Sequence, residues 1–242
     1  MLQPASHIPA EFWAAVAVRA PAALITVIDG PGLSPDALGL GRGGEVWGGL
    51  APGVPATVTG PLVDEARRLL GQGRTATQRV DTEAGTALVE AWVPSPRLVV
   101  VGGGEIVTAL EAQAGLLGWE LRSAPAGDGL DDLLEWAGAS AALVVTSHDP
   151  HVDAPALAAG LARPIPYIGA MGSRSTQSRR LERLAALGLG DDDLERIHRP
   201  IGLDLGGRRA PEVALAIVAE ILAVHCGREG RPLKDRSGPI HG

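Results

Sequence analysis

The strongest constraint on the fold lies between Arg97 and His225, where short apolar runs alternate with helical stretches across brief links. Leu98–Val101 is continuously apolar, as a strand covered on both faces must be. Glu105–Leu117 reads as a helix ended by Gly118, Trp119–Arg122 as a second strand, and Leu130–Trp136 as a helix capped near Asp128. Ala141–Thr146 is the third strand, and Ala154–Leu161 the helix after it, with Pro155 in its first turn. Ile165–Ile168 follows as a fourth strand, then Ser175–Leu187 as a helix that sets Leu181, Leu184 and Leu187 on one side. Asp191–His198 reads as a short capped helix, and Pro211–His225 as a long apolar one with Gly227 at its C-terminal end. Strand and helix in alternation, with links this short, require parallel strands joined by right-handed crossovers. The expected class is α/β, with a Rossmann-like parallel-sheet domain over 97–242 whose last stretch, 228–242, is a flexible tail.

Pro94-Ser95-Pro96 breaks this half from the residues before it, because two prolines fix an extended connector. Upstream, Pro9–Arg19 reads as a short helix and Ala22–Ile28 as a buried strand rich in β-branched residues. Asp29–Gly60 is dominated by Gly and Pro and reads as turns with short strands. Leu62–Leu70 is a helix stopped by Gly71, and Thr75–Val80 and Thr86–Val93 are strands. Residues 1–93 therefore form a small N-terminal α/β domain.

Composition excludes several function classes. Hydrophobic residues make up 45% of the 242-residue chain, enough for a sizeable core and too many for a disordered polymer. Aromatics supply only 3%, so that core rests on Ala, Val, Leu and Ile. The net charge is −7, and no Lys/Arg cluster interleaves with aromatics, which argues against nucleic-acid binding. A single cysteine, Cys226, rules out an internal disulfide and suits a reducing cytoplasm. No signal-peptide pattern opens the chain and no run of 18 apolar residues occurs, so a soluble cytoplasmic protein with no membrane span is expected.

In open parallel sheets, ligands bind beyond the carboxyl ends of the strands, so the loops there carry the chemistry. Gly102-Gly103-Gly104 follows the first strand and supplies two glycines of a dinucleotide-binding fingerprint, with Val107 at the third glycine's place. No acid ends the second strand, where Arg122 and Ser123 stand instead of the partner an NAD ribose would want. The loop is either an NAD(P) site or a tight strand-to-helix turn. Ser147-His148-Asp149-Pro150-His151-Val152-Asp153 follows the third strand. Two His and two Asp suggest a metal, but no upstream motif completes a ligand set. His148 and Asp149 are read instead as facing the ligand, able to orient it or move a proton, and Asp153 as a helix N-cap. Gly169-Ala170-Met171-Gly172-Ser173-Arg174-Ser175 combines a close-approach glycine, capping hydroxyls, a helix N-terminus and an Arg fork. Those features together make an anion pocket from Gly169, Gly172, Ser173 and Arg174. In Ile201-Gly202-Leu203-Asp204-Leu205-Gly206, Asp204 is either a ligand contact or a turn former.

Thr146-Ser147-His148-Asp149 with Asp153, Tyr167 through Arg174, and Ile197-His198-Arg199-Pro200-Ile201-Gly202-Leu203-Asp204-Leu205-Gly206 together resemble the XdhC/CoxI family. Pro211-Glu212-Val213-Ala214, Ala219-Glu220-Ile221 and Gly238-Pro239-Ile240-His241 extend the likeness, which is strong from Arg97 onward and weak before it. The resemblance implies an accessory protein for xanthine and carbon monoxide dehydrogenases. Such a protein binds molybdenum cofactor (molybdopterin), assists its insertion into an apo-hydroxylase, works in some members beside a cysteine desulfurase, and forms a homodimer. The cofactor's phosphate would suit the Gly172-Ser173-Arg174 pocket. Two departures stand out. The family's Gly-Gly-Cys motif with its nearby glutamate corresponds here to Gly48-Gly49-Leu50, with no thiol and with Pro52 where the acid belongs. Gly104-Glu105-Ile106-Val107 replaces a Gly-His-Val-Gly-like turn, and Cys226 reads as a packed residue of the last helix. With no obvious acid–base constellation, the expected role is a cofactor-binding chaperone rather than a catalyst; the alternatives are an NAD(P)-dependent oxidoreductase and a nucleotide-binding regulator.

Overall fold

The computed structural model describes residues 8–30, 37–50, 54–83, 85–235 and 237. They divide into two compact units, one up to Pro94 and the other from Ser95 to Ser237.

The first unit is an antiparallel sheet with two helices. Its elements are α1 (Ala10–Ala17), β1 (Ala22–Asp29), β2 (Ala37–Gly41), β3 (Val46–Gly48), α2 (Ala56–Leu70), β4 (Ala76–Thr82) and β5 (Gly85–Trp92). The strand order is β3-β2-β1-β5-β4, and every neighbouring pair is antiparallel. The helix expected from Leu62 begins six residues earlier, inside the Gly- and Pro-rich stretch, and carries Pro61 within it. Val58, Leu62, Ala66, Leu69 and Leu70 bury one face of α2 on the sheet, and that packing overrides the breaking tendency of Gly60 and Pro61. Leu50 packs half-buried against the same cluster. Pro52 lies outside the described residues, as does the Gly238–His241 ending.

The second unit is an all-parallel sheet. It comprises β6 (Arg97–Val101), α3 (Glu105–Leu116), β7 (Glu120–Ala124), α4 (Leu130–Ala137), β8 (Ala141–Val145), α5 (Pro150–Leu161), β9 (Tyr167–Ala170), α6 (Arg174–Ala186), α7 (Asp191–Glu195), β10 (Ile197–His198) and α8 (Ala210–His225). The order β10-β9-β8-β6-β7 reverses direction between β6 and β8. That is the doubly wound order whose reversal opens a crevice at the strand ends. Alternate strand residues feed two cores. Val99, Val101, Leu143, Val145, Ile168 and Ala170 face α4, α5, α6 and α7, while Leu98, Val100, Ala142, Val144 and Tyr167 face α3 and α8.

Several expected boundaries move, each for a local reason. The helix after the third strand starts at Pro150 rather than Ala154, with Asp149 as N-cap accepting from the His151 N–H at 2.9 Å. Asp153 is thereby displaced from the cap into the buried first turn, and Pro155 falls inside the helix. The fourth strand occupies Tyr167–Ala170, two residues later than expected, because Pro166 precedes its ladder. The last part of the expected Asp191–His198 helix is instead β10, paired with β9. The cap near Asp128 is the left-handed Gly129, without a side-chain bond. Leu187 is 60% exposed, so only Leu184 of the expected leucine stripe is fully buried. Leu143, at the centre of the larger core, has no exposed surface. Leu143→Ala should cost about 2–5 kcal/mol from lost transfer and an unfilled cavity, read from urea midpoints; a loss below about 1 kcal/mol would contradict this packing.

Candidate functional site

The carboxyl ends of β6, β8 and β9 are stitched beyond their ladders. The Thr146 and Ser147 N–H groups donate to the Val101 carbonyl at 2.8 and 3.2 Å, Met171 N–H to Val145 at 2.8 Å, and Ile201 N–H to Ala170 at 3.2 Å. Gly102 turns with φ 129°, and a Cβ there would lie 2.2 Å from Thr146 Oγ1 and 2.8 Å from the Ser147 nitrogen. Only glycine lets the two strand ends at the topological reversal come this close. Gly103 and Gly104 are exposed above that contact, and a Cβ at either would meet nothing within 4 Å. They open α3, whose first N–H groups lack intrahelical carbonyls and carry the positive end of the helix dipole.

Val107 explains why the third fingerprint glycine is missing. It is 7% exposed and packs with Leu110, Ala214 and Ile217, so the first turn of α3 is seated by a side chain against α8. Arg122 does not end its strand: β7 runs on to Ala124, and the Arg122 guanidinium lies 4.1 Å from the Trp136 ring centre, on a ring that also receives Arg97 at 4.6 Å.

His148 and Asp149 are exposed at the end of β8, Asp149 being occupied as the α5 cap. Among the described residues no group of three or more His, Cys, Asp or Glu is arranged to hold a metal. Gly169 is buried within β9, where a Cβ would lie 2.3 Å from Ile201 Cδ1; it seats the 199–207 loop instead of facing open space. Gly172 turns with φ 133°, and Ser173 caps α6 by accepting from the Thr176 N–H at 3.3 Å. Arg174 is exposed at the first position of that helix, so the chain brings Gly172, Ser173 and Arg174 to one helix start. Asp204 is exposed in the loop before α8.

Two polar clusters, one buried and one half-buried, hold these loops, and the motif reading missed both. Arg180 and Asp153 are each 1% exposed, with Nε and Nη2 donating to Asp153 Oδ2 at 3.0 and 2.8 Å. The same guanidinium donates to the Met171 carbonyl at 3.0 Å, to Gln177 Oε1 at 2.8 Å and to the Ser147 carbonyl at 3.4 Å. Gln177 in turn donates to the carbonyls of Ala170 and Gly172. One side chain thus ties the β8–α5 loop to the β9–α6 loop. Among the described residues Asp153 Oδ1 is the buried side-chain oxygen without a hydrogen-bond partner, so this carboxylate depends on Arg180. The signal was present in sequence: Gln177, Arg180 and Leu184 share a helix face at spacings of three and four.

The second cluster centres on Glu220, the lone acid in the apolar run of α8. It accepts from Tyr167 Oη at 2.5 Å and from the Gly202 N–H at 2.8 Å, and pairs with His198 Nδ1 at 3.2 Å. Tyr167 and His198 stack with ring centres 4.5 Å apart. Burial alone would raise the Glu220 pKa, but the hydrogen bonds from His198, Tyr167 and Gly202 outweigh it and hold the carboxyl below its ordinary value. Burial, reinforced by the Glu220 charge, pushes the Tyr167 phenol far above its usual range. The cluster therefore anchors the loop after β10 from behind as a charged carboxylate and a neutral phenol.

Residues 98–221, just over half of the chain, match the family model described as the XdhC Rossmann domain. Among curated proteins the chain is similar to YqeB of Escherichia coli (strain K12), at 26% identity over 162 residues, 60% of this chain and 30% of that protein. It is also similar to the molybdenum cofactor insertion chaperone PaoD of the same organism, at 35% identity over 89 residues, 36% of this chain and 28% of that protein. The chain thus spans 30% or less of the length of either relative. A solved structure described as a xanthine dehydrogenase from Bacillus halodurans aligns at 14% identity over 91% of this chain and 96% of that chain, with a TM-score of 0.46.

Two outcomes follow from these clusters. Arg180→Ala leaves the buried Asp153 carboxyl without its guanidinium partner, and should cost about 3–5 kcal/mol. The double change Arg180→Met with Asp153→Leu should recover most of that loss in denaturant melts, and equal losses in the two would refute the pairing. For Glu220, a folded pKa below the ordinary 4.5 means that its contribution is complete above that value and is lost as pH falls beneath it. Glu220→Gln should flatten the acid limb of the stability profile, measured by thermal midpoints from about pH 3 to pH 6; a limb as steep as the parent's would remove Glu220 as its source.

Proposed function

The chain belongs to the XdhC Rossmann-domain family, and from that membership we propose that it is an accessory protein that binds molybdenum cofactor and assists its insertion into a xanthine or carbon monoxide dehydrogenase-type hydroxylase. The observation that carries the reading is the paired helix starts at the strand-end crevice. Gly103 and Gly104 open α3, and Gly172, Ser173 and Arg174 open α6, so two sets of unpaired N–H groups face the same edge of the sheet. Such starts favour a phosphate, and an Arg fork adds charge-assisted donors. The kinship with PaoD supplies the class of cargo.

In this reading the cargo brings its own redox chemistry, and the chain's residues hold, orient and release it. The helix starts grip the anionic end, while His148 and Asp149 at the end of β8 and Asp204 in the loop before α8 face the remainder of the cargo. Gly102 keeps the strand ends close while Arg180 and Glu220 fix the loops. Leu50 provides no thiolate, so any sulfur exchange on the cargo would be performed by a partner such as a cysteine desulfurase. Among the described residues no helix is long and apolar enough to cross a membrane. A cytoplasmic homodimer that meets an apo-hydroxylase completes the proposal.

The test is direct. Denaturing the purified full chain in the presence of an oxidant should release a fluorescent pterin. Arg174→Ala should reduce the recovered pterin about tenfold or more, the scale of a lost hydrogen bond to a charged group, while the melting temperature stays at the parent's. Recovery of a nicotinamide nucleotide with no pterin would overturn the reading.

A further inference from the structure

A cleft of about 480 Å³ lies beside the topological reversal, on the α4/α5 face of the sheet. Its lining comes from the β7–α4 loop (Ala126–Gly129), the start of α4 and one side of α5. The strand between these two contributors is β6, which carries the glycine loop. The cleft therefore lies at the carboxyl-end side of the sheet, where doubly wound sheets take ligands.

The chemistry of its walls is divided. Val152, Pro155, Ala156 and Ala159 stand at spacings of three and four along α5 and make an apolar wall. Asp128, Asp131 and Asp132 with His151 make the polar side. Asp131 also meets Arg163 at 2.8 Å, and among the described residues no Arg or Lys lines the cleft. Carboxylates without a lining cation repel phosphate and accept from N–H and O–H donors. A flat ring can lay its face on the α5 wall and direct a donor-bearing edge to the acids. The volume falls in the usual range for small-molecule pockets, about 300–1,000 Å³.

We propose that this cleft binds the amino-substituted heterocyclic ring of the ligand, leaving its phosphate outside at the helix starts. The inference rests on the cofactor-binding reading above and divides its site into a ring subsite and an anion subsite. The same ring chemistry has two sources: a pterin, or the base of a nucleotide portion of the ligand. It also gives Asp128 a role. The acid looked for at the end of the second strand stands in the loop four residues beyond β7.

Titration calorimetry on the full chain tests it, with neopterin, CMP, AMP and inorganic phosphate as probes. At least one ring-bearing probe should bind, and the tighter class identifies the source. Ala159→Phe, which fills the cleft without touching an acid, should weaken that binding at least tenfold. The double change Asp128→Asn with Asp132→Asn should weaken it similarly. Inorganic phosphate should not displace neopterin. Binding by none of the ring probes, or binding unchanged in both variants at parental melting temperature, would overturn the proposal. Pterin still recovered at the parental level from purified Ala159→Phe would sink the ring subsite and leave the functional reading standing. Nucleotide binding lost in Ala159→Phe, with no pterin in the purified parent, would do the reverse.

Discussion

The strand-end crevice depends on one buried guanidinium. Arg180 sits on α6, yet it bonds to the carbonyl groups of Ser147 and Met171 and to the carboxylate of Asp153 on α5. Carbonyl groups beyond the ends of parallel strands have no ladder partner, and in a site closed to water each would be costly. Arg180 satisfies two of them with one planar fork, and Asp153 balances the charge that makes this possible. Neither residue touches the open crevice. Their effect is positional: they tie the loop that carries His148 to the loop that carries Arg174.

Much of the parallel-sheet unit is legible in its sequence because burial on both faces leaves a simple trace. Leu98–Val101 and Ala141–Val145 are unbroken apolar runs, and nothing else of that length suits a covered strand. The misplaced boundaries have a different cause. At Asp149-Pro150-His151-Val152-Asp153 two acids compete for the N-cap, and local pattern favours the one nearest the apolar run. The helix starts at the earlier acid because the later one is claimed by Arg180, a partner 27 residues away. No local rule reports that. In the first unit α2 runs through Gly60-Pro61 for the same reason: its buried face contributes more than the backbone preference of two residues costs.

The site was legible to the same degree. Ser173 is the cap that the capping rules offered, although α6 begins at Arg174, one residue before the expected Ser175. Gly169 shows the opposite. A glycine beside a ligand loop suggests open backbone, but here its missing Cβ makes room for Ile201. Glycine permits close approach without saying by what, so its partner has to come from the tertiary structure. The polar residues that shape the edge, Gln177, Arg180 and Glu220, each lie in an otherwise ordinary helix and belong to no loop motif.

Val107 ties the glycine loop to the rest of the unit. In a dinucleotide fingerprint the third glycine draws the helix close to its strand, and the pyrophosphate crosses the helix start. With valine there, α3 is keyed to α8 through Val107, Leu110, Ala214 and Ile217. The same α8 carries Glu220, which grips the Gly202 N–H and Tyr167. Displacing α3 would therefore disturb the helix that anchors the loop after β10. The glycine loop and the 199–207 loop are coupled through α8 on one face, as the His148 and Arg174 loops are coupled through Arg180 on the other. A ligand reaching across the strand ends would meet loops held in pairs, and Gly103 and Gly104, with open space above them, are where backbone contacts to it would cost the least rearrangement.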